Sequence, residues 1–292
     1  MQPPPPIEVH EVLGGLELVD RTLVELGPYG AVGRYFRASA MGLDDPRVPP
    51  HFRDDWALHG VAVPGAQALF DAPQWRDVAA RYWGCDVVEP QSLFVNLMLA
   101  QDAPLVAHTD VPVFRGVDRT FPMWLLYAMH RSGRFERWRP RTANVLWWRW
   151  AGDGGGLTYW PDGPSRPWRR VEPPMTDRAI VADLHRIWHR VEPIGGASAV
   201  GGLVPLDSEL SVDAASLDDV RVSLVWKAFC YESADEREEL ARDPVTLADA
   251  VDIIGDDLRE RGVDHSITVE TVFDITSRDV LQAAYPAEHV EP

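Results

Sequence analysis

His108 and Asp110 stand two residues apart within the stretch 105–113, which is apolar on both sides of them. Such a stretch is typical of a strand, where alternate side chains share one face. The imidazole and the carboxylate therefore point the same way, and Thr109 points away. One histidine and one carboxylate on a common face are two of the three ligands of a 2-His-1-carboxylate metal site.

Two later histidines, His185 and His189, are candidates for the third ligand. The segment 187–191 alternates so that His189 shares a face with apolar residues, which we expect to be the interior. His185 lies at the bend before this segment, where we expect it to be exposed. A lone histidine on an apolar face is most often a core residue, so it is the combination with His108 and Asp110 that makes His189 the predicted ligand.

The composition is that of an ordinary globular protein with a substantial core, because 46% of its 292 residues are hydrophobic and 25% are charged. A net charge of −17 disfavours binding to nucleic acid or to an anionic membrane. Two cysteines, Cys85 and Cys230, exclude a disulfide framework. The chain contains no run of about 18 apolar residues, so we expect no membrane span. Its first residues do not resemble a signal peptide. We expect a cytoplasmic protein.

Patterns along the chain predict many short strands in its middle and helices towards both ends. Strands are predicted at 92–99, 143–150, 157–160, 179–184, 187–191 and 221–231. Helices are predicted at 66–82, 234–242, 246–261 and 277–284. The segment 121–129 fits a strand or a helix, and 44–55 and 195–219 read as loops, the second being a candidate lid or a disordered segment. We expect a single domain, 1–292, in which an N-terminal extension (1–89) and helical C-terminal cladding (232–292) flank an all-β barrel or sandwich at about 90–231.

The order of motifs in this middle region resembles that of the Fe(II)/2-oxoglutarate-dependent oxygenases, and it is most similar to their prolyl-hydroxylase-like branch. The matching residues are His108, Asp110, Gly155-Gly156-Leu157, His189-Arg190-Val191 and Arg221-Val222-Ser223. The resemblance covers about 90–231 and says little about either end of the chain. It implies a mainly β fold with flanking helices, namely a double-stranded β-helix, which is a cupin-like jelly roll.

The resemblance also implies that His108, Asp110 and His189 are the catalytic metal ligands and hold Fe(II). Two imidazoles and one carboxylate on one side of the metal leave three positions open. In this family two of them are taken by the co-substrate 2-oxoglutarate and the third by dioxygen.

The far carboxylate of 2-oxoglutarate needs a cation, and the fork of an arginine pairs with both carboxylate oxygens. Arg221 and Ser223 share one strand face, which makes them the predicted anchor. Asn96 is a further candidate, although a buried amide is as often bonded to the backbone. Because the loop before this strand is long, Arg190 and Lys227 are alternative anchors.

Substrate-side candidates are Arg115, Arg119 and Trp148, although lone arginines are more often solvated and strand tryptophans more often belong to the core. We expect hydroxylation, or a related oxidation, of an unactivated C–H bond in a small molecule such as an amino acid, a peptide or a specialised metabolite. Two alternatives stay open. One is a cupin-like metalloenzyme that does not use 2-oxoglutarate, and the other is a non-enzymatic barrel that binds a ligand.

Overall fold

A computed structural model describes residues 2–32, 47–195 and 202–287. Its strands are β1 (Ile7–His10), β2 (Tyr29–Ala31), β3 (Arg47–Val48), β4 (His51–Leu58), β5 (Val61–Ala62), β6 (Val87–Met98), β7 (Arg141–Arg149), β8 (Leu157–Trp160), β9 (Arg169–Val171), β10 (Arg178–Ala182), β11 (Trp188–Val191), β12 (Val204–Pro205), β13 (Glu209–Leu210) and β14 (Arg221–Tyr231). Its helices are α1 (Glu17–Leu26), α2 (Gln67–Phe70), α3 (Pro73–Trp83), α4 (Met123–Ser132), α5 (Ala234–Ala241), α6 (Leu247–Glu260) and α7 (Ile275–Ala284).

Two antiparallel sheets enclose a layer of buried apolar side chains. The larger sheet has the order β1-β10-β7-β14-β6-β4-β2-β13, and the smaller has the order β11-β8-β9. The segment 105–110 extends the smaller sheet, because the amide of His108 donates to the carbonyl of His189 at 3.0 Å and the amide of His189 donates back at 2.9 Å.

From β6 to β14 the chain passes back and forth between these sheets. β6, β7, β10 and β14 lie in the larger sheet, whereas the segment 105–110, β8, β9 and β11 lie in the smaller one. This eight-segment order is that of a double-stranded jelly roll. The predicted fold class, mainly β with flanking helices, is therefore confirmed.

The six strands predicted between 92 and 231 are all present, whereas the stretch 105–113 is no regular strand and pairs through an isolated bridge at His108. The ambiguous segment 121–129 lies mainly in α4, and the helix expected over 66–82 is divided into α2 and α3. The division falls at Pro73, which fits the first turn of a helix but not its interior. Gly84 ends α3 in the left-handed conformation, with φ +63°.

The prediction of a loop over 44–55 is wrong where β4 begins. β4 pairs with β6 from His51 onwards, so the N-terminal segment adds strands to the larger sheet. Its charged residues Arg53, Asp54 and Asp55 resemble a loop, but they lie between buried Phe52 and Trp56 at an irregularity in the pairing with β6. The segment expected as a loop at 195–219 contains β12 and β13, and its residues 196–201 lie outside the described ones.

The two faces of the larger sheet bury different cores. The outer face packs against α1, α2 and α3, and Val222, Leu224 and Trp226 of β14 lie there with no exposed surface. The inner face of β14 carries Arg221 and Ser223 towards the smaller sheet. A separate core joins α4 to α6 and α7, beside the jelly roll. Among the described residues no helix has the length and apolar character that a membrane crossing needs.

Candidate metal centre and co-substrate pocket

His108, Asp110 and His189 come together between the two sheets. One possible ligand atom from each of them lies within 4.8 Å of the others. Nε2 of His189 is 3.8 Å from Oδ1 of Asp110. The two histidine rings lie side by side, with their centroids 4.6 Å apart, because their backbones pair directly. One metal ion can therefore reach all three side chains.

Backbone carbonyls fix the tautomer of both histidines. Nδ1 of His108 donates to the carbonyl of Val106 at 2.9 Å, and Nδ1 of His189 donates to the carbonyl of Ile187 at 3.0 Å. A carbonyl only accepts, so each Nδ1 carries the proton and each Nε2 keeps a lone pair for a metal. Burial lowers the pKa of His189 to about 4, which keeps that imidazole neutral near pH 7.

Asp110 divides its two oxygens between the metal side and the protein. Its Oδ2 accepts from Nζ of Lys227 at 2.6 Å and from Nδ2 of Asn144 at 3.3 Å, while Oδ1 faces His189. Burial would raise the pKa of Asp110, but Lys227, His189 and His185 together outweigh burial and hold that pKa well below its usual range. The carboxylate therefore stays ionised, as a metal ligand must.

Arg221 is a buried cation, with only 1% of its surface exposed. Its Nε donates to the carbonyl of Gly155 at 2.6 Å, Nη1 lies 3.7 Å from the sulfur of Met98, and Nη2 has no partner. No carboxylate among the described residues pairs with it, and burial lowers its pKa to about 9. Burying a guanidinium without a counter-charge is unfavourable, so this position is built to receive an anion.

A cavity of about 130 Å³ connects His108, Asp110 and His189 to Arg221. Its lining residues are His51, Arg53, Phe94, Asn96, Met98, Leu105, His108, Asp110, Leu146, Leu157, Leu184, His189, Val191, Arg221, Ser223 and Val225. A ligand in this cavity can contact the metal site at one end and the guanidinium at the other.

Strand register places the predicted anchor residues in rows. Ser223 of β14 lies opposite Asn96 of β6, which lies opposite Arg53 of β4. The amide oxygen of Asn96 bonds Nε2 of His51 at 3.0 Å, so this side chain is tied to a neighbouring strand and not to the backbone. Asn96 and Ser223 thus lie beside Arg221 in the same cavity.

A second, larger cavity of about 520 Å³ opens at Asp110 and shares Arg53 and Phe94 with the first. Its wall is mostly apolar, and it includes Arg115 and Arg119. Nε of Arg115 donates to the carbonyl of Leu240 at 3.2 Å. Arg119 is exposed at the rim.

Trp148, the third substrate-side candidate, has no exposed surface and lies in the core between the sheets. It lines neither the smaller nor the larger of these two cavities. Its burial agrees with the alternative reading of the sequence, in which a tryptophan on a strand belongs to the core.

The alternative anchors have other partners. Nε of Arg190 donates to Glu192 at 3.1 Å, and Lys227 is paired with Asp110. His185 is buried, with 4% exposed, so the expectation that it is exposed is wrong. The bend that holds it packs against the segment 108–111, and its Nδ1 donates to the carbonyl of Val111 at 2.7 Å.

Sequence reasoning missed His51, Arg53 and Asn144. The first two belong to β4, whose alternation of polar and apolar residues was a usable signal. Asn144 interrupts the apolar strand β7 as Asn96 interrupts β6, and the same reasoning would have selected it. The contact between Lys227 and Asp110 joins distant parts of the chain, so no local pattern indicated it.

No protein-family model matches the chain, and no curated protein sequence matches it. Among solved structures, it is similar to an oxidoreductase of the 2OG-Fe(II) oxygenase family from Burkholderia pseudomallei, with 16% identity, 79% of this chain and 87% of that chain covered, and a TM-score of 0.45. It is similar to a prolyl hydroxylase from Trichoplax adhaerens in complex with a hypoxia inducible factor peptide, with 13% identity, coverage of 82% and 87%, and a TM-score of 0.45. It is also similar to HygX from Streptomyces hygroscopicus with nickel, 2-oxoglutarate and hygromycin B bound, with 11% identity, coverage of 80% and 90%, and a TM-score of 0.41. These likenesses are remote.

Proposed function

We propose that the protein is an Fe(II)/2-oxoglutarate-dependent dioxygenase that hydroxylates an unactivated C–H bond of a small molecule. The observation that carries this proposal is one cavity that holds a 2-His-1-carboxylate set and, facing it, a buried arginine without a counter-ion. 2-Oxoglutarate has the complementary shape, since its keto acid end can chelate a metal while its other carboxylate reaches a cation.

The donor set fits Fe(II). Two neutral imidazole nitrogens and one carboxylate oxygen are the ligands of non-haem iron oxygenases, and they leave adjacent positions open. His108, Asp110 and His189 would hold the ion, and each of them is oriented by a second hydrogen bond.

The side chains at the other end of the cavity fit a carboxylate. Nη2 of Arg221 and the hydroxyl of Ser223 would bind the distal carboxylate of 2-oxoglutarate, while Nε stays on the carbonyl of Gly155 and fixes the direction of the fork. Bound Fe(II), with 2-oxoglutarate as the reductant, supplies the activation of dioxygen. One oxygen atom enters the C–H bond, the other enters succinate, and CO2 leaves.

The larger cavity is the proposed place of the substrate. It adjoins Asp110, and its volume of about 520 Å³ lies within the range of small-molecule sites. The net charge of −17 suits a small molecule better than nucleic acid.

The test is metal-dependent binding of 2-oxoglutarate, measured by calorimetry on protein loaded with Mn(II). We expect binding to require the metal and Arg221, and we expect glutarate, which lacks the keto group, to bind far more weakly. Succinate formation with Fe(II) and dioxygen across a set of substrates would then identify the reaction.

Two results would favour the alternatives. If the protein binds the metal but not 2-oxoglutarate, and if Arg221→Met binds the metal as the wild type does, the result would indicate a cupin-like metalloenzyme. The absence of metal binding would indicate a barrel that only binds a ligand.

A further inference from the structure

Lys227 is the one lysine among the 28 lysine and arginine residues of the chain. It lies on the inner face of β14, six residues beyond Arg221, and lines the larger cavity. Its Nζ is 2.6 Å from Oδ2 of Asp110, and 17% of its side chain is exposed. The only lysine of the protein is therefore placed where the substrate cavity meets the metal site.

The charges at this junction do not balance without a further anion. In the proposed function, the two positive charges of Fe(II) and the charge of Arg221 are matched by Asp110 and the two carboxylates of 2-oxoglutarate. Lys227 then adds a positive charge in a largely buried place. Burying an unmatched charge is unfavourable, so the structure favours an anion beside Lys227.

Two other cations around the larger cavity, Arg53 and Arg115, have carboxylate neighbours, and a third, Arg119, is exposed at the rim. Arg53 pairs with Asp55 at 2.8 Å, and Arg115 lies 3.8 Å from Asp243. The carboxylate neighbour of Lys227 is Asp110, which the metal also needs. At the inner end of the cavity, Lys227 is therefore the cation whose charge is balanced only if the bound ligand supplies an anion.

A lysine suits this position because its ammonium is a compact donor of three hydrogens. One of them reaches Oδ2 of Asp110, which leaves two for a second acceptor and leaves Oδ1 free for a metal. Most of the remaining wall surface is apolar, with Phe94, Val113 and Phe229 among its residues. The cavity therefore combines one cationic end with an apolar body.

We propose that the substrate joins an apolar body to an anionic group, a carboxylate or a phosphate, and that Lys227 binds this group beside the metal. This inference rests on the proposed function and names the substrate class for the same site. It places the oxidised carbon close to the anionic group, since Nζ contacts a metal ligand directly.

Four probes of equal chain length test the inference: n-octanoate, n-octyl phosphate, n-octanol and n-octylamine. Their binding is measured by calorimetry on protein saturated with Zn(II) and 2-oxoglutarate, so that no turnover occurs. We expect at least one anionic probe to bind about tenfold or more tightly than octanol and octylamine. The tighter of the two anions identifies a carboxylate or a phosphate as the natural group.

Lys227→Met, titrated in the same way under saturating Zn(II) and 2-oxoglutarate, should abolish the preference for the anion. Arg278→Met is the matched control, because Arg278 is on the surface of α7, away from both cavities, and it should keep the preference.

A spectroscopic readout uses the unaltered protein. Labelling with ¹³C-lysine gives a single ε-carbon resonance, that of Lys227, and we expect the preferred anion to shift it and octanol to leave it in place. This measurement decides the question even where the methionine variant does not fold.

The inference is overturned if the anions bind no more tightly than octanol, or if neither anion binds. It is also overturned if Lys227→Met keeps the preference, or if the anion leaves the lysine resonance in place. If 2-oxoglutarate binds and the anion preference is missing, the inference fails alone. If 2-oxoglutarate does not bind, the proposed function fails with it.

Discussion

Arg221 and Arg149 are buried arginines on neighbouring strands that differ in their partners. Arg149 of β7 pairs with Asp20 at 2.7 Å and with Asp218 at 3.0 Å. Arg221 has no carboxylate partner among the residues that the structure describes. Replacing each by methionine removes the charge and keeps much of the length, and the structure predicts opposite results.

In the ligand-free protein, Arg221→Met removes an uncompensated buried charge, which is worth several kcal/mol. It also removes the hydrogen bond to the carbonyl of Gly155, and an unpaired buried acceptor costs about 1–3 kcal/mol. The expected net effect lies between zero and about 2 kcal/mol of added stability. Arg149→Met should instead destabilise the folded protein by about 2 kcal/mol, mostly because Asp20 and the carbonyl of Leu217 lose their hydrogen-bond donor. The lost pair with Asp218 adds little, because Asp218 is exposed.

2-Oxoglutarate separates the variants further. At one hundred times its dissociation constant, a ligand stabilises the folded state by about 2.7 kcal/mol. Removing one partner of a buried ion pair costs about 3–5 kcal/mol, so Arg221→Met should lower the affinity at least about 100-fold. At the same concentration the stabilisation then falls to about 0.4 kcal/mol.

The assay is urea unfolding of Mn(II)-loaded protein with and without 2-oxoglutarate. Wild type and Arg149→Met should gain stability from the ligand, and Arg221→Met should not. The reasoning is refuted if Arg221→Met destabilises the free protein as much as Arg149→Met does and still responds to 2-oxoglutarate.

Three further predictions concern Gly155, Lys227 and the buried histidines. In Gly155→Ala the added Cβ would lie 2.9 Å from Cδ of Arg221, at a backbone φ of +69°, so calorimetry should show 2-oxoglutarate affinity reduced about tenfold; an unchanged affinity would contradict this. In Lys227→Arg the planar fork should hold both oxygens of Asp110 and lower metal affinity about tenfold in a metal titration, and wild-type metal affinity would argue against the division of the two oxygens. Burial lowers the pKa of four histidines, which are His51, His130 and His189 (each to about 4) and His185 (to about 3). As the pH drops from 6.5 to about 4, the unfolded chain takes up these protons before the folded chain does. The free energy of unfolding of the metal-free protein should therefore fall, by up to about 1.4 kcal/mol per histidine per pH unit. Urea titrations that show no change in this free energy between about pH 7 and 5 would contradict the prediction.

Alternation of polar and apolar residues was enough to predict most of the jelly roll. The strands predicted over 92–99, 143–150 and 221–231 correspond to β6, β7 and β14, whose largely apolar runs reflect burial on both faces of the sheet. β4 escaped detection because its successive charged residues Arg53, Asp54 and Asp55 resemble those of a loop, although the strand lies inside the sheet between β6 and β2.

The sequence predicted which residue types form the candidate site better than it predicted which of their side chains contact one another. Spacing on a strand placed His108 beside Asp110, and the face shared by Arg221 and Ser223 followed from the same rule. The register that brings Asn96 to His51, and the pairing of Lys227 with Asp110, depend on how distant strands align. Local sequence does not contain that information, since one residue of slip would reverse every side chain.

The central claim is that one Fe(II) ion is held by His108, Asp110 and His189 and is chelated by 2-oxoglutarate anchored at Arg221. Visible absorption of the protein with Fe(II) and 2-oxoglutarate, recorded without oxygen, tests it directly. We expect a charge-transfer band in the wild type and in His185→Gln, and no band in His189→Gln. A wild-type protein that shows no such band, or a His189→Gln variant that keeps it, would contradict the account.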